Sequence, residues 1–243
     1  MTITINPAYN RLSEYLQHIP LKFDNEGDII YDKRNTLRRI TAPDGTILCI
    51  KRYHTPRLLN RIVYTLFREP KAQRAYQNAI RLAQLDIPTP QPVAYILCNK
   101  HGFIADSYLI TLYSPLRRNM YEFDNGDIHD REHILQAFAQ LTADIHNHGI
   151  IHSDYSPGNI LFDDNNGKVE FSIIDINRMQ FRNVDMNTGC RNLQRLWGTP
   201  DTIRYIAELY AEARHFDTQR CIELTLRYWR HFWQHRQHHF PIY

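Results

Sequence analysis

The chain has 243 residues, 43% of them hydrophobic and 23% charged, enough apolar material for a full core in one bilobal domain or two small ones. A net charge of +3 is only mildly basic and lacks the dense Lys/Arg runs of a dedicated nucleic-acid binder, so no nucleic-acid partner is expected. No run approaches the roughly 20 apolar residues that span a bilayer, and residues 1–10 lack the charged start and apolar stretch of a secretory signal, so a cytoplasmic protein is expected, with peripheral membrane contact left open.

Residues 12–19 form an amphipathic segment with Leu12, Tyr15, Leu16 and Ile19 on one helical face, and Pro20 is expected to end it. Residues 29–31, 37–40 and 47–53 read as antiparallel strands, the last two separated by the turn Pro43-Asp44-Gly45-Thr46. The third strand carries Lys51, where a nucleotide-binding small lobe places the lysine that neutralises α- and β-phosphates. The candidate phosphate loop, residues 31–37, contains no glycine, whereas Gly-rich loops use several to let backbone amides approach phosphate. Side chains of Lys33, Arg34 and Asn35 are expected to take over that contact.

Helical periodicity follows through Leu58, Leu59, Ile62, Val63, Leu66 and Phe67 and breaks at Pro70. A second helix is predicted over 71–85, with Tyr76, Ala79, Ile80 and Ala83 on one face. A kinase places in this helix a glutamate that pairs with the strand lysine, and residues 71–85 contain none. Gln73 and Gln77 are the substitutes, and Glu69 lies just before the break. The stiff link Ile87-Pro88-Thr89-Pro90-Gln91-Pro92 leads into strands at 93–97 and 103–111, separated by a turn at 99–102. Ser114-Pro115 is the expected connector between a first lobe, 1–113, and a second, 114–243.

The second lobe opens with a helix over 131–148, carrying Ile134, Leu135, Phe138, Leu141 and Ile145 on one face and stopped by Gly149. The chain then enters Ile150-Ile151-His152-Ser153-Asp154-Tyr155-Ser156-Pro157-Gly158-Asn159-Ile160, and the next strand ends in Ile173-Ile174-Asp175. Phosphoryl transfer needs a carboxylate beside the attacking hydroxyl and oxygen ligands for magnesium one loop-width away. Asp154 is the candidate for the first role, Asn159 and Asp175 for the second. A hairpin whose Asp and Asn merely shape turns is the plainer alternative, but a turn does not require His152, Asp154, Asn159 and Asp175 together.

Further helices are predicted at 190–197, 201–214 and 217–235, the last turning Cys221, Leu224, Tyr228 and Phe232 inward. The tail beyond is rich in His, Arg and aromatics, and three readings stay open: a metal site from His235, His238 and His239, a membrane-surface anchor, or a terminal helix with one solvated face. The four cysteines, Cys49, Cys98, Cys190 and Cys221, form no C-x-x-C pair, so isolated thiols are expected rather than zinc ligands or disulfides.

The stretch from Asn35 through Lys51, the block Pro70-Lys71-Ala72-Gln73-Arg74-Ala75-Tyr76, the link Ile87-Pro88-Thr89-Pro90, the His152 to Asn159 loop and Ile174-Asp175-Ile176-Asn177-Arg178 together resemble the lipopolysaccharide kinase (Kdo/WaaP) family, itself related to RIO-type kinases. The likeness spans most of residues 30–200. It implies a bilobal α+β protein-kinase-like fold, with a small antiparallel sheet plus helix and a mainly helical large lobe. It also implies ATP and magnesium as cofactors, and a Kdo or heptose hydroxyl of the lipopolysaccharide core as acceptor, on the cytoplasmic face of the inner membrane. The absent helix glutamate departs from that pattern. Rival readings are a RIO-like protein kinase, a small-molecule phosphotransferase of the aminoglycoside or choline kind, and a nucleotide-binding pseudokinase. The lack of an APE-terminated segment between Asp175 and Gly189 argues against a conventional protein kinase.

Overall fold

The computed structural model describes residues 1–54, 69–100 and 103–234. The helix expected around Leu58 to Phe67 and the histidines at 235, 238 and 239 lie outside the described residues. The chain divides into two units, Met1–Gln84 with Thr89–Pro115, and Leu85–Pro88 with the chain from Leu116 onward.

The first unit is built on an antiparallel six-stranded sheet in the order β1-β5-β6-β4-β3-β2. Its strands are β1 (Thr2–Ile5), β2 (Asp28–Asp32), β3 (Asn35–Thr41), β4 (Ile47–Tyr53), β5 (Pro92–Lys100) and β6 (Phe103–Leu112). Alternation along β4 buries Leu48 and Ile50 on one face and puts Cys49, Lys51 and Tyr53 on the other. The first face is covered by the N-terminal arm, a 3-10 segment Pro7–Leu12 followed by α1 (Ser13–Gln17) and α2 (Ile19–Lys22). Leu12, Leu16, Ile19 and Phe23 from this arm share one core with Ile40, Leu48, Ile50, Ile96 and Ile110. Each such side chain contributes about 1.5–3 kcal/mol on burial. Pro20 does not end a helix here: it sits in the first turn of α2, where a missing N–H costs nothing. Strand β1 carries no clear signal of its own and is held at the sheet edge by pairing with β5.

Against the Lys51 face lies α3 (Lys71–Ala83), whose Tyr76 ring meets Tyr95 of β5 edge-on at 5.3 Å. The buried stripe is Ala72, Ala75, Tyr76, Ala79 and Leu82. The predicted Ile80 and Ala83 stand half-buried and exposed, because small residues let the helix approach the sheet closely on a slightly rotated face.

The second unit centres on α4 (Glu132–Asn147), which ends where Gly149 takes φ +67°, a left-handed stop open to glycine. A three-stranded sheet, β10-β9-β7, comprises β7 (Arg118–Asn119), β9 (Ile160–Asn165) and β10 (Lys168–Ile173). A two-stranded ribbon pairs β8 (Ile150–His152) with β11 (Met179–Phe181). Phe138 of α4 stacks on Tyr155 at 5.9 Å, and Phe162 packs against Phe171 at 6.1 Å, joining helix, loop and hairpin in one core.

Three helices follow: α5 (Met186–Asn192), α6 (Pro200–Ala213) and α7 (Thr218–Gln234). The helix predicted at 190–197 is displaced towards the N-terminus, because the Asp185 side chain accepts the Thr188 N–H and starts the helix there. Beyond it, Leu193–Arg195 is a 3-10 turn and Leu196 is extended at φ −63°, ψ 144°. In α7 the inward stripe is Cys221, Ile222, Thr225, Leu226, Trp229 and Trp233. The predicted Leu224, Tyr228 and Phe232 flank it half-buried, since the two indoles are drawn in by hydrogen bonds from Trp229 (2.8 Å) and Trp233 (3.2 Å) to the Leu196 carbonyl. The thiols are not all isolated: Cys190 and Cys221, both buried, lie in contact, Sγ to Sγ 3.4 Å. Among the described residues no helix is long and apolar enough to cross a membrane.

Candidate active site

The loop between β8 and β9 is held by its own histidine. His152, at the end of β8, is 1% exposed. Its Nε2–H donates to the Ile174 carbonyl (2.9 Å), and its Nδ1 accepts the Asp154 N–H (3.1 Å). Those roles fix one neutral tautomer. Burial pushes the imidazole below its ordinary pKa, partly opposed by the bond to Ile174. His152 is thus a clamp between the loop and the segment carrying Asp175.

Ile174 completes the clamp from its other side, because its N–H donates to the Asn159 carbonyl at 3.0 Å. One residue therefore ties both ends of the loop, and Asp175 follows it directly. Asp175 takes φ 56°, ψ 43°, in the left-handed region that Asp tolerates better than most side chains. Its Oδ1 accepts from Asn177 Nδ2 at 2.7 Å, fixing the carboxylate plane.

Asn159 uses its amide NH₂ inward: Nδ2 donates to the Asp154 carbonyl (2.8 Å) and to Ser156 Oγ (3.2 Å). With both amide hydrogens committed, its Oδ1 points the other way. An amide oxygen and a carboxylate on adjoining, mutually bonded backbone segments are hard oxygen donors of the kind Mg²⁺ takes alongside waters and phosphates. The donor set fits that ion, with Asn159 and Asp175 as the residues that would hold it.

Asp154 is half-exposed and paired with a residue that spacing gave no reason to single out: Arg195 Nη1 donates to Asp154 Oδ1 at 2.6 Å. The guanidinium also lies over the Phe232 ring, 5.2 Å from its centroid. Only the Ser/Thr-free 3-10 turn after α5 hints at a special backbone there; the pairing spans 41 positions and is invisible to any local pattern.

Behind the loop runs a buried polar chain. Asn192 Nδ2 donates to the His152 carbonyl (2.8 Å), and its Oδ1 accepts from His146 Nε2 (3.0 Å). His146 Nδ1 accepts from the Tyr210 hydroxyl (2.8 Å), which in turn accepts from Arg214 Nη1 (3.0 Å). Every donor meets an acceptor, so the chain has one direction. Burial holds His146 neutral, with its pKa pushed down to about 4, against a smaller upward pull from Asn192.

The remaining predicted residues belong to the first unit. Lys51 is half-buried mid-strand on β4, its Nζ 5.2 Å from the centroid of the Tyr53 ring, and Lys71 of α3 lies over the same ring at 5.9 Å. Lys33 and Asn35 flank the β2–β3 hairpin tip, the Lys33 N–H donating to the Asn35 carbonyl at 3.2 Å, with Lys33 exposed and Asn35 half-buried. Glu69, just before α3, accepts from Gln73 (3.3 Å) and Gln77 (3.5 Å), so the three candidates for the missing helix acid gather on each other. A surface groove of about 520 Å³ lined by Arg204, Glu223, Arg227 and Arg230 shares no residue with the loop.

A model of the lipopolysaccharide kinase (Kdo/WaaP) family matches residues 32–204. Comparison with curated proteins finds no sequence match. Among solved structures the chain is similar to WaaP in complex with acyl carrier protein, at 17% identity and a TM-score of 0.65, covering 96% of this chain and all of that one. At that identity the likeness is one of fold.

Proposed function

The chain belongs to the lipopolysaccharide kinase (Kdo/WaaP) family, and from that premise we propose that it is an ATP- and magnesium-dependent kinase that phosphorylates a Kdo or heptose hydroxyl of the lipopolysaccharide inner core. The observation that supports this most is the Ile174 junction, which ties the segments of His152, Asn159 and Asp175 into one rigid frame with Asp154 on it. Asp154 is the group that orients the acceptor hydroxyl and takes its proton as the new O–P bond forms and the bond between the γ-phosphorus and the departing ADP oxygen breaks. Asn159 and Asp175 would hold a magnesium ion, which when bound would screen the charge of the nucleotide phosphates. Lys51 grips the α- and β-phosphates, while Lys33 and Asn35 contact phosphate from the hairpin tip by side chains instead of glycine amides. The bulk of the catalysis is positioning and charge neutralisation. Its site of action is the cytoplasmic face of the inner membrane, reached by peripheral contact.

Two measurements test this. Lipid A-core from cells with and without the protein should differ by one phosphate in mass. In purified enzyme, Asp154→Ala should lower transfer by about 10²–10⁴-fold while ATP affinity holds; transfer unchanged in that variant would sink the assignment. A second reading, a nucleotide-binding pseudokinase, is favoured by one feature: α3 lacks the acid that would pair with Lys51, and its two glutamines are occupied with Glu69. Magnesium-dependent ATP binding without any transfer to deacylated core would favour it.

A further inference from the structure

Arg195 closes the 3-10 turn after α5, and the extended Leu196 and then Trp197 lead the chain out of it. The Leu196 side chain is buried, and its carbonyl receives two indole N–H groups, from Trp229 and Trp233. Arg195 reaches Asp154 and lies over the Phe232 ring, while Trp197 stands edge-on between the Tyr121 ring at 5.1 Å and the Trp233 ring at 5.4 Å. Tyr121 itself lies over the loop: a Cβ on Gly158 would stand 2.9 Å from its Cε2. Burial, with the Asp154 charge as the smaller contribution, raises the pKa of its hydroxyl. The Tyr121 ring is nonetheless 39% exposed, and Trp197 is half-buried.

Around Asp154, then, stand the exposed Tyr121 ring, backed by the half-buried Trp197, and one guanidinium. Sugar rings present apolar C–H faces that stack on such rings, with polar groups fixing orientation. Arginine's planar fork matches carboxylate and phosphate, and the bond to Asp154 uses only one of its nitrogens. An ion pair at this exposure, 34% and 35% for the two side chains, is screened by water and contributes little to stability by itself.

We propose that Tyr121, backed by Trp197, and Arg195 form the acceptor subsite beside Asp154, taking a sugar that carries a negatively charged substituent, whose ring stacks on Tyr121 and whose anion is held by Arg195. This rests on the kinase reading for its choice of ligand, yet it is separable by experiment. The anion is a carboxylate or a phosphate, and the two are told apart below.

Saturation-transfer NMR on the full-length protein, without nucleotide, measures binding of three probes: Kdo, mannose 6-phosphate and neutral mannose. At least one anionic sugar is expected to bind tenfold or more tightly than mannose. Whichever does so identifies the substituent. Arg195→Met should erase that advantage, Arg195→Lys should keep part of it, and Tyr121→Ala should weaken all three sugars. Melting curves ensure that each variant is folded. Equal affinities for the three sugars in the unmodified protein, or an anionic preference untouched in Arg195→Met, would overturn the subsite. Transfer to deacylated core is followed in parallel. Anionic preference without transfer leaves the subsite standing and removes the kinase reading. Transfer with an unchanged acceptor KM in Arg195→Met does the reverse.

Discussion

Replacing Asn192 by Ala tests whether the loop is braced from behind by the buried polar chain. The substitution deletes two hydrogen bonds at once, to the His152 carbonyl (2.8 Å) and from His146 Nε2 (3.0 Å). Both partners belong to buried residues, 1% and 2% exposed, so neither can turn to solvent. An abandoned buried donor or acceptor costs about 1–3 kcal/mol. Two of them, with a small void added, give roughly 3–5 kcal/mol. For a chain of this size each kcal/mol lowers Tm by about 2–4 °C, so a fall of about 10 °C is expected in a thermal melt. The His152 carbonyl lies two residues before Asp154, so transfer assayed well below the melt should lose more in kcat than in ATP affinity. A melting point within about 2 °C of the parent, with transfer intact, would refute the bracing argument.

Acidification acts on the same chain. His146 is neutral in the fold with its pKa lowered to about 4, whereas unfolded it titrates near 6.5, so its contribution is complete above pH 6.5 and is lost as pH falls towards 4. Between pH 7.5 and 5 that amounts to about 2 kcal/mol, read from urea midpoints, and His146→Gln should flatten the profile by the same amount. Gly189→Ala would set a methyl against the Tyr210 hydroxyl and 3.4 Å from His146 Nδ1, so it should destabilise strongly, while Gly158→Ala, which meets the half-exposed Tyr121 ring, should cost far less in a paired melt. At Asp175, Asn keeps the left-handed backbone comfortable and Ala does not, so Asp175→Ala should melt below Asp175→Asn by about 1 kcal/mol, although both lose magnesium-dependent ATP binding. Equal melts of the two would show that the backbone there is not strained.

The fold is legible in the sequence wherever a signal is local. Strands β3 and β4 announce themselves by alternation around the Pro43 to Thr46 turn, and α4 by a 3.6-residue apolar period stopped at Gly149. Where two local signals compete, the stronger bond decides. The Asp185 side chain captures the Thr188 N–H and starts α5 earlier than periodicity suggests. Likewise, a helix carrying aromatics on adjacent stripes, as α7 does, cannot be rotated correctly from hydropathy alone. Its register is set by two indole N–H groups seeking the Leu196 carbonyl, and that carbonyl is 33 positions from Trp229.

The same distinction separates the parts of the site. Asp154, Asn159 and Asp175 stand out because their spacing is short and flanked by strands that must pair: β9 meets β10 from Ile160 opposite Ile173 outward, which sets the residues after Ile173 beside Asn159. Arg195 and Asn192 do not stand out, because each acts on the loop across about 40 positions through one side-chain bond, and the residue types are unremarkable in a helix end. The consequence is a division of labour by face. The neutral side chains of Asn192 and His146 fix the loop from within, where a charge would be costly. The carboxylate itself is met by Arg195 in a half-exposed ion pair. A loop braced by buried neutral bonds and met at its carboxylate by a cation is the frame that the proposed acceptor role of Asp154 would require, since the carboxylate must keep its direction when a substrate arrives.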